Sequence, residues 1–304
     1  MDSAPFVALC ACKQATGKGA CEQVNIQNLL KDVGVVSPFA ARIVEIDDDA
    51  ADAFPRLVVA IEHDPKLTGR MLGLANSTAF STGRAIDSVR QAVTRLGMEL
   101  SKATCVAMLL SEGTRGTTGD FDRRAAWLHA LLVAVGARSV ARLTPLEVTS
   151  GSAYSAGLLH DIGYLALAAK APAQMYCLRA MVTDEPNTRS LDQERACLVA
   201  THNATGAAIG SSLGLPSTLV EAILHHHHPL AAPEEARALA TCVAIADRIT
   251  GTIEGAANPG FYPLSEQVPE SWLELLKINR SALDLIAEAL LADLAAMSSL
   301  VSSL

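Results

Sequence analysis

Charge is scarce in this 304-residue chain. Asp, Glu, Lys and Arg make up 18% of it, aromatics only 4%, and half of the residues are hydrophobic. So apolar a composition excludes a disordered chain. A basic excess is also missing: 24 Lys and Arg against 32 Asp and Glu leave a net charge of −8, with pI near 5.5. Phosphate backbones attract basic surfaces, so a general nucleic-acid binder is excluded. No apolar run reaches the ~20 residues that span a bilayer. The best candidate, 283–304, is interrupted by Asp284, Glu288 and Asp293. The opening MDSAPFVALC has no basic start before its short apolar run, so no secretory signal is read there. A cytoplasmic protein without membrane or nucleic-acid partners is expected.

Sustained alternation at period 2 is absent, which removes most strands. Helical periodicity takes its place, with boundary signals in position. Asp64-Pro65 puts a capping carboxylate before a proline, with Leu67, Met71, Leu72 and Ala75 on one face. Asp87-Ser88 opens a helix carrying Val89, Ala92, Val93 and Leu96, stopped by Gly97. Further helices are expected from Asp122 to Leu143, from Ser190 or Asp192 to Leu213, from Glu234 to Ile249 and from Ser281 to Leu300. Leu57 to Ile61 reads equally as a strand or a buried helical stretch. Turn chemistry marks loops at 113–119, 183–189 and 251–263. The fold class is all-α. At roughly 100–200 residues per domain, the length allows one large domain or two small ones.

The seven cysteines are an odd number, and reduced thiols are expected. Cys105, Cys177, Cys197 and Cys242 sit among apolar neighbours and suit a core. Cys10, Cys12 and Cys21 lack a fourth ligand at finger spacing.

Histidine carries the chemistry. His129 lies in AAWLHALLVA, His160-Asp161 in AGLLHDIGYLAL and His202 in ATHNATGAAIG; His225 to His228 precede Pro229, and Asp247 follows in AIADRIT. Imidazole and carboxylate are ligands for divalent first-row metals. Each also has a plain structural reading: a core histidine, a polar helix end, a solvated run, a carboxylate paired with a base. Polar groups in such apolar surroundings nevertheless need partners, and a shared metal would satisfy all of them. Adjacent helical residues point about 100° apart, so His160 and Asp161 can meet one ion only between several helices.

The ordered set H…HD…H…HH…D resembles the HD superfamily of metal-dependent phosphohydrolases. The flanks are similar to its HDOD branch, the HD-related output domain of bacterial signalling proteins. The matching segments are EHDPKLTGRMLGLANSTAF (62–80), IDSVRQAVTRLG (86–97), WLHALLVA (127–134), AGLLHDIGYLAL (156–167), HNATGAAIGSSLGLP (202–216) and EAILHHHHP (221–229). The resemblance covers roughly 28–250 and implies an N-terminal helical subdomain over 28–115 and an HD-like core over 116–250; the patternless 1–27 reads as an irregular segment, and 251–304 as a C-terminal helical extension. It implies metal ligation by His129, His160, Asp161 and Asp247, with His202, His226 and His227 completing a binuclear set. One or two Fe, Mn, Zn or Ni ions would be held, Asp161 bridging them, and His160 and Asp161 are the candidate catalytic groups. His225 takes the place that is often aromatic before the histidine pair in related sequences, and His228 falls outside the cluster.

Three departures from catalytic HD-GYP relatives count against turnover. Tyr164 replaces the lysine of HDIGK, HPLAAPEEA (228–236) replaces the DGxGYP loop, and Ala125 stands where some relatives carry another acid. The string 260–263 (GFYP) is a decoy, because it follows Asp247. Asn76 is expected to cap the helix begun at Asp64, and Arg70, Arg84, Arg90 and Arg95 to form a solvated face. The amphipathic 281–304 packs on the core or on a partner. Two functions follow: a regulatory protein acting through protein contacts, or a phosphohydrolase acting on a nucleotide or other phosphoester. A third reading is a hydrogen-bonded polar core without metal.

Overall fold

The computed structural model describes residues 38–113, 121–172, 174–176, 178, 191–198, 200–253 and 267–302. Among them every regular element is helical. The described residues begin with α1 (Pro38–Val44), α2 (Ala53–Glu62), α3 (Pro65–Asn76), α4 (Val89–Leu96) and α5 (Met98–Gly113). The central elements are α6 (Arg123–Ala141), α7 (Ser150–Leu159), α8 (Ile162–Lys170), α9 (Leu191–Cys197), α10 (His202–Ser212), α11 (Ser217–His225) and α12 (Glu234–Thr252). A 3-10 turn, Pro229–Ala231, precedes α12; α13 (Glu270–Leu276) and α14 (Ser281–Ser302) follow it. The loops expected at 113–119, 183–189 and 251–263, the decoy 260–263, the segment 1–27 and Cys10, Cys12, Cys21 and Cys177 lie wholly or largely outside the described residues. Cys105 and Cys242 are buried, and neither they nor Cys197 is bridged.

Local chemistry sets the helix starts. Asp64 accepts hydrogen bonds from the N–H groups of Lys66 and Leu67 at 2.8 and 3.2 Å, with Pro65 at the first helical position. Ser88 caps α4, Asp122 caps α6 and Thr149 caps α7, each through the N–H three residues on. Each such cap is worth about 1 kcal/mol. Gly97 ends α4 at φ 85°, a left-handed conformation that favours glycine. Leu57 to Ile61 lies inside α2.

α6 is buried along most of its length and packs against α7, α12 and α14. The N-terminal layer attaches mainly through α5 on α7. α14 lays Leu283, Ile286, Leu290, Met297 and Val301 inward, against α6 and α12. No described helix is long and apolar enough to cross a membrane.

Three expectations are corrected. The helix expected from Ser190 or Asp192 to Leu213 is two helices, α9 ending at Cys197 and α10 starting at His202. Thr201 is extended (φ −67°, ψ 155°), and the N–H of His202 goes to the Glu194 carboxylate at 2.9 Å. Asn76 does not close α3. Its amide exchanges two 2.9 Å bonds with the backbone of Ile86 and pins the intervening loop, while Ser77 Oγ donates to Leu74 O. The four arginines are not one solvated face: Arg70 is buried, and Arg95 donates to the carbonyls of Ala75 and Arg84.

Two glycines let backbones touch beside the histidines. A Cβ at Gly157 would lie 2.8 Å from Ala134 Cα on α6. One at Gly163 would run into the carbonyl of His202 and lie 2.9 Å from Gly206 N. This contact seats α8 on α10. Gly163→Ala is expected to lower stability by about 3 kcal/mol, the upper range of overpacking, read from the urea midpoint. A change within ~0.5 kcal/mol, typical of open surface, would refute the contact.

Candidate metal centre

His129 projects from the middle of α6 into the bundle and lies 3.0 Å (Nε2) from Asp247 Oδ1 on α12. His160 and Asp161 stand where α7 ends and α8 begins: Leu159 is the last residue of one helix and Ile162 the first of the next. At this junction His160 keeps helical backbone angles (φ −55°, ψ −38°) while Asp161 does not (φ −104°, ψ 12°), and His160 Nε2 and Asp161 Oδ2 lie 3.3 Å apart. His202 opens α10, and His226 and His227 follow directly after the end of α11. All seven residues singled out in the sequence thus meet at one place.

Two groups form around one carboxylate. His129, His160 and Asp161 have ligand atoms within 4.8 Å of one another, and so do His202, His226 and His227. Asp161 joins them. Its Oδ2 lies 3.8 Å from His129 and 3.3 Å from His160; its Oδ1 lies 3.3 Å from His202 and 3.7 Å from His226. Outside the cluster, His225 turns back to Glu221, 3.2 Å from its carboxylate, and His228 is exposed.

The ring nitrogens show what the arrangement suits. His160 Nδ1 donates to Gly157 O and His226 Nδ1 to Ile223 O, both at 2.7 Å. His202 Nδ1 donates to Glu194 at 2.8 Å. With Nδ1 committed as donor, a neutral ring presents Nε2 as a bare lone pair. Yet His202 Nε2 lies 3.3 Å from His226 Nε2 and 3.0 Å from His227 Nε2. Lone pairs at that distance repel unless a proton or a cation lies among them. His160 Nε2 and Asp161 Oδ1 are buried without a well-formed hydrogen bond. Orphaned donors of this kind, on rings whose far nitrogens are held, fit a divalent metal.

Glu194 was not singled out in the sequence. It is 3% exposed and accepts from the N–H and Nδ1 of His202 and from the Tyr164 hydroxyl. The signal that could have found it is Thr201, an N-cap residue type inside a run read as one helix.

Electrostatics follow from burial and pairing. Burial penalises the charged form of Asp161, but His160, His202 and His226 hold it well below the usual carboxylate range. Asp247 and Glu194 are likewise lowered, against burial, chiefly by His129 and His202 respectively. Burial lowers His160, but Asp161, Asp247 and the Gly157 carbonyl outweigh it, raising it to about 9. Burial, then the neighbouring His160 and His202, pushes His226 down to about 3.

The HDOD domain profile matches residues 33–229. The chain belongs to the HDOD family. An uncharacterised protein of Treponema pallidum (strain Nichols) is 25% identical over 223 residues, 73% of this chain and 42% of that protein. A candidate signal-transduction protein of Marinobacter aquaeolei superposes with TM-score 0.75 at 21% identity, over 99% of this chain and 66% of its own. A candidate phosphohydrolase of Shewanella amazonensis gives TM-score 0.68 at 23% identity, over 90% and 97%. At such identities the structures establish the shared fold. The chain spans less than two thirds of the Treponema and Marinobacter proteins.

The shifts set a pH profile for metal-free protein. His160, raised from 6.5 to about 9, contributes stability that is full below 6.5 and lost as pH rises through 9. His226, lowered from 6.5 to about 3, costs stability as pH falls below 6.5, where the unfolded chain takes up a proton that the folded one refuses. Denaturation midpoints of metal-free protein are expected to peak near pH 6.5 and fall on both sides; a flat profile from pH 5 to 9 would contradict this balance.

Proposed function

We propose that this HDOD protein is a regulatory module that carries a metal centre and acts through contacts with a protein partner. What carries the reading is the converging donor set beside a tyrosine, Tyr164, whose hydroxyl is taken up by Glu194. One ion would be held by His129, His160, Asp161 and Asp247, and a second by Asp161, His202, His226 and His227. Fe, Mn, Zn and Ni all suit this mixture of imidazole and carboxylate. When bound, such ions supply positive charge that offsets the buried carboxylates and ties α6, α7, α8, α10, α11 and α12 together.

A small cleft beside Asp161 is lined by Ala126, Trp127, Ala130, Leu158, Ile162, Tyr164 and Leu165. It meets an incoming group with hydrocarbon and one carboxylate, whereas phosphoryl transfer calls for cationic or N–H donors around the developing charge. Tyr164, at the position of the HD-GYP lysine, is buried with its hydroxyl on Glu194. That donor is committed to a carboxylate. The likeness in fold to a signal-transduction protein supports the regulatory reading.

A phosphohydrolase is the second reading. It is favoured by the way the two oxygens of Asp161 face two different histidine groups, the pattern that two-metal hydrolysis uses. There Asp161 would orient an attacking water, with His160 beside it.

Elemental analysis of untagged protein, purified anaerobically without chelator, is expected to find about one to two equivalents of first-row metal. Asp161→Ala should lose them while keeping the helical circular dichroism, and no mono-, di- or cyclic nucleotide should be hydrolysed. Metal-free wild type that is well folded would sink the metal centre. Turnover abolished by Asp161→Ala would establish the hydrolase instead.

A further inference from the structure

His160 and His226 are oriented by local means. Each donates Nδ1 to the carbonyl three residues earlier, Gly157 O and Ile223 O, within or at the end of its own helix. His202 is the first residue of α10, so no earlier residue of its own helix can offer a carbonyl. A partner for its Nδ1 must come from another element, and the chain supplies Glu194 from α9.

We infer that Glu194 is a positioning residue that fixes the tautomer and ring plane of His202, and that Tyr164 in turn holds Glu194. His202 Nδ1 lies 2.8 and 2.9 Å from the two carboxylate oxygens, and the His202 N–H donates to Oε2 at 2.9 Å. An ionised carboxylate only accepts, so the proton is on Nδ1, and Nε2 faces His226, His227 and Asp161. The Tyr164 ring stacks on the imidazole with centroids 4.2 Å apart and planes 11° from parallel, which blocks rotation. Its hydroxyl donates to Glu194 Oε1. Tyr164, Glu194 and His202 therefore form a closed triangle, each side a contact. The tyrosine that replaces a phosphate-binding lysine acts here as a brace for a histidine. The geometry stands by itself; its consequence for metal affinity rests on the metal-centre reading above.

The test uses full-length protein, zinc titrated against a competing chelator, and imidazole nitrogen NMR of the metal-free protein in alkaline buffer. Glu194→Gln is expected to weaken zinc binding about 10- to 100-fold, the usual cost of losing a partner behind a ligand, with helical content unchanged. Its amide can donate to Nδ1, so His202 should shift from the Nδ1–H toward the Nε2–H tautomer. Glu194→Asp should restore Nδ1–H and part of the affinity. Tyr164→Phe keeps the stack and should lose less than Glu194→Gln. Unchanged zinc affinity in Glu194→Gln or, should that variant not fold, in both Glu194→Asp and Tyr164→Phe would overturn the inference. So would an Nε2–H tautomer in wild type. If wild type takes no zinc, the metal-centre reading fails, and the tautomer comparison alone then decides the role of Glu194.

Discussion

One largely buried carboxylate organises the middle of this protein. Asp161 has Oδ2 beside His129 and His160 and Oδ1 beside His202 and His226, so four rings from separate parts of the chain are referred to a single side chain. A carboxylate in that position is costly unless positive charge surrounds it. Protons on some of the histidines can supply that charge, and so can a metal. Which of the two does so decides whether the imidazoles sit as ligands or as counter-ions. Protonation satisfies Asp161, but His226 and His227 are pushed down by burial and by their charged neighbours. Protons therefore compensate unevenly across the cluster. Divalent ions, if held here, would reach both halves at once.

The helical scaffold is built to bring these groups within reach. Gly157 lets α7 lie against the backbone of α6, and Gly163 lets α8 lie against the start of α10. These close approaches carry His160 and Asp161 toward His129 on one side and toward His202 on the other. The two residues themselves stand at the junction where α7 ends at Leu159 and α8 starts at Ile162, Asp161 leaving the helical angles that His160 still keeps, and their side chains end 3.3 Å apart.

Legibility in the sequence followed the range of the interaction. Asp64, Ser88 and Asp122 were readable as helix starts because each acts on an N–H two or three residues away. The seven clustered residues were readable from their order, but the split of the histidine run was not a matter of local pattern. His225 ends α11 and turns back to Glu221, while the next two residues leave the helix and face His202. Asn76 and Arg95 were misread because their partners, the Ile86 backbone and the Ala75 and Arg84 carbonyls, lie 10 to 20 residues away. Glu194 was invisible for the same reason. In LDQERACLV it is one of several charges on a short helix, and its burial comes from Tyr164, 30 residues before it, and from His202 after a helix break.

That break links the fold to the site. Had α9 run on into α10, as local propensity suggested, the His202 N–H would have bonded to a helical carbonyl and Glu194 would have faced another direction. By stopping at Cys197 and restarting after the extended Thr201, the chain frees the N–H of the first residue of α10, and Glu194 takes both that N–H and Nδ1. The carboxylate thus caps the helix and orients the ring in one contact. Negative charge at a helix N-terminus is favourable, so the same acid that sets the ring also steadies the element that carries it. A lysine at position 164 would compete for that carboxylate and draw it off the ring. The tyrosine donates one hydrogen bond, adds a flat face to the stack and leaves the charge of Glu194 to His202.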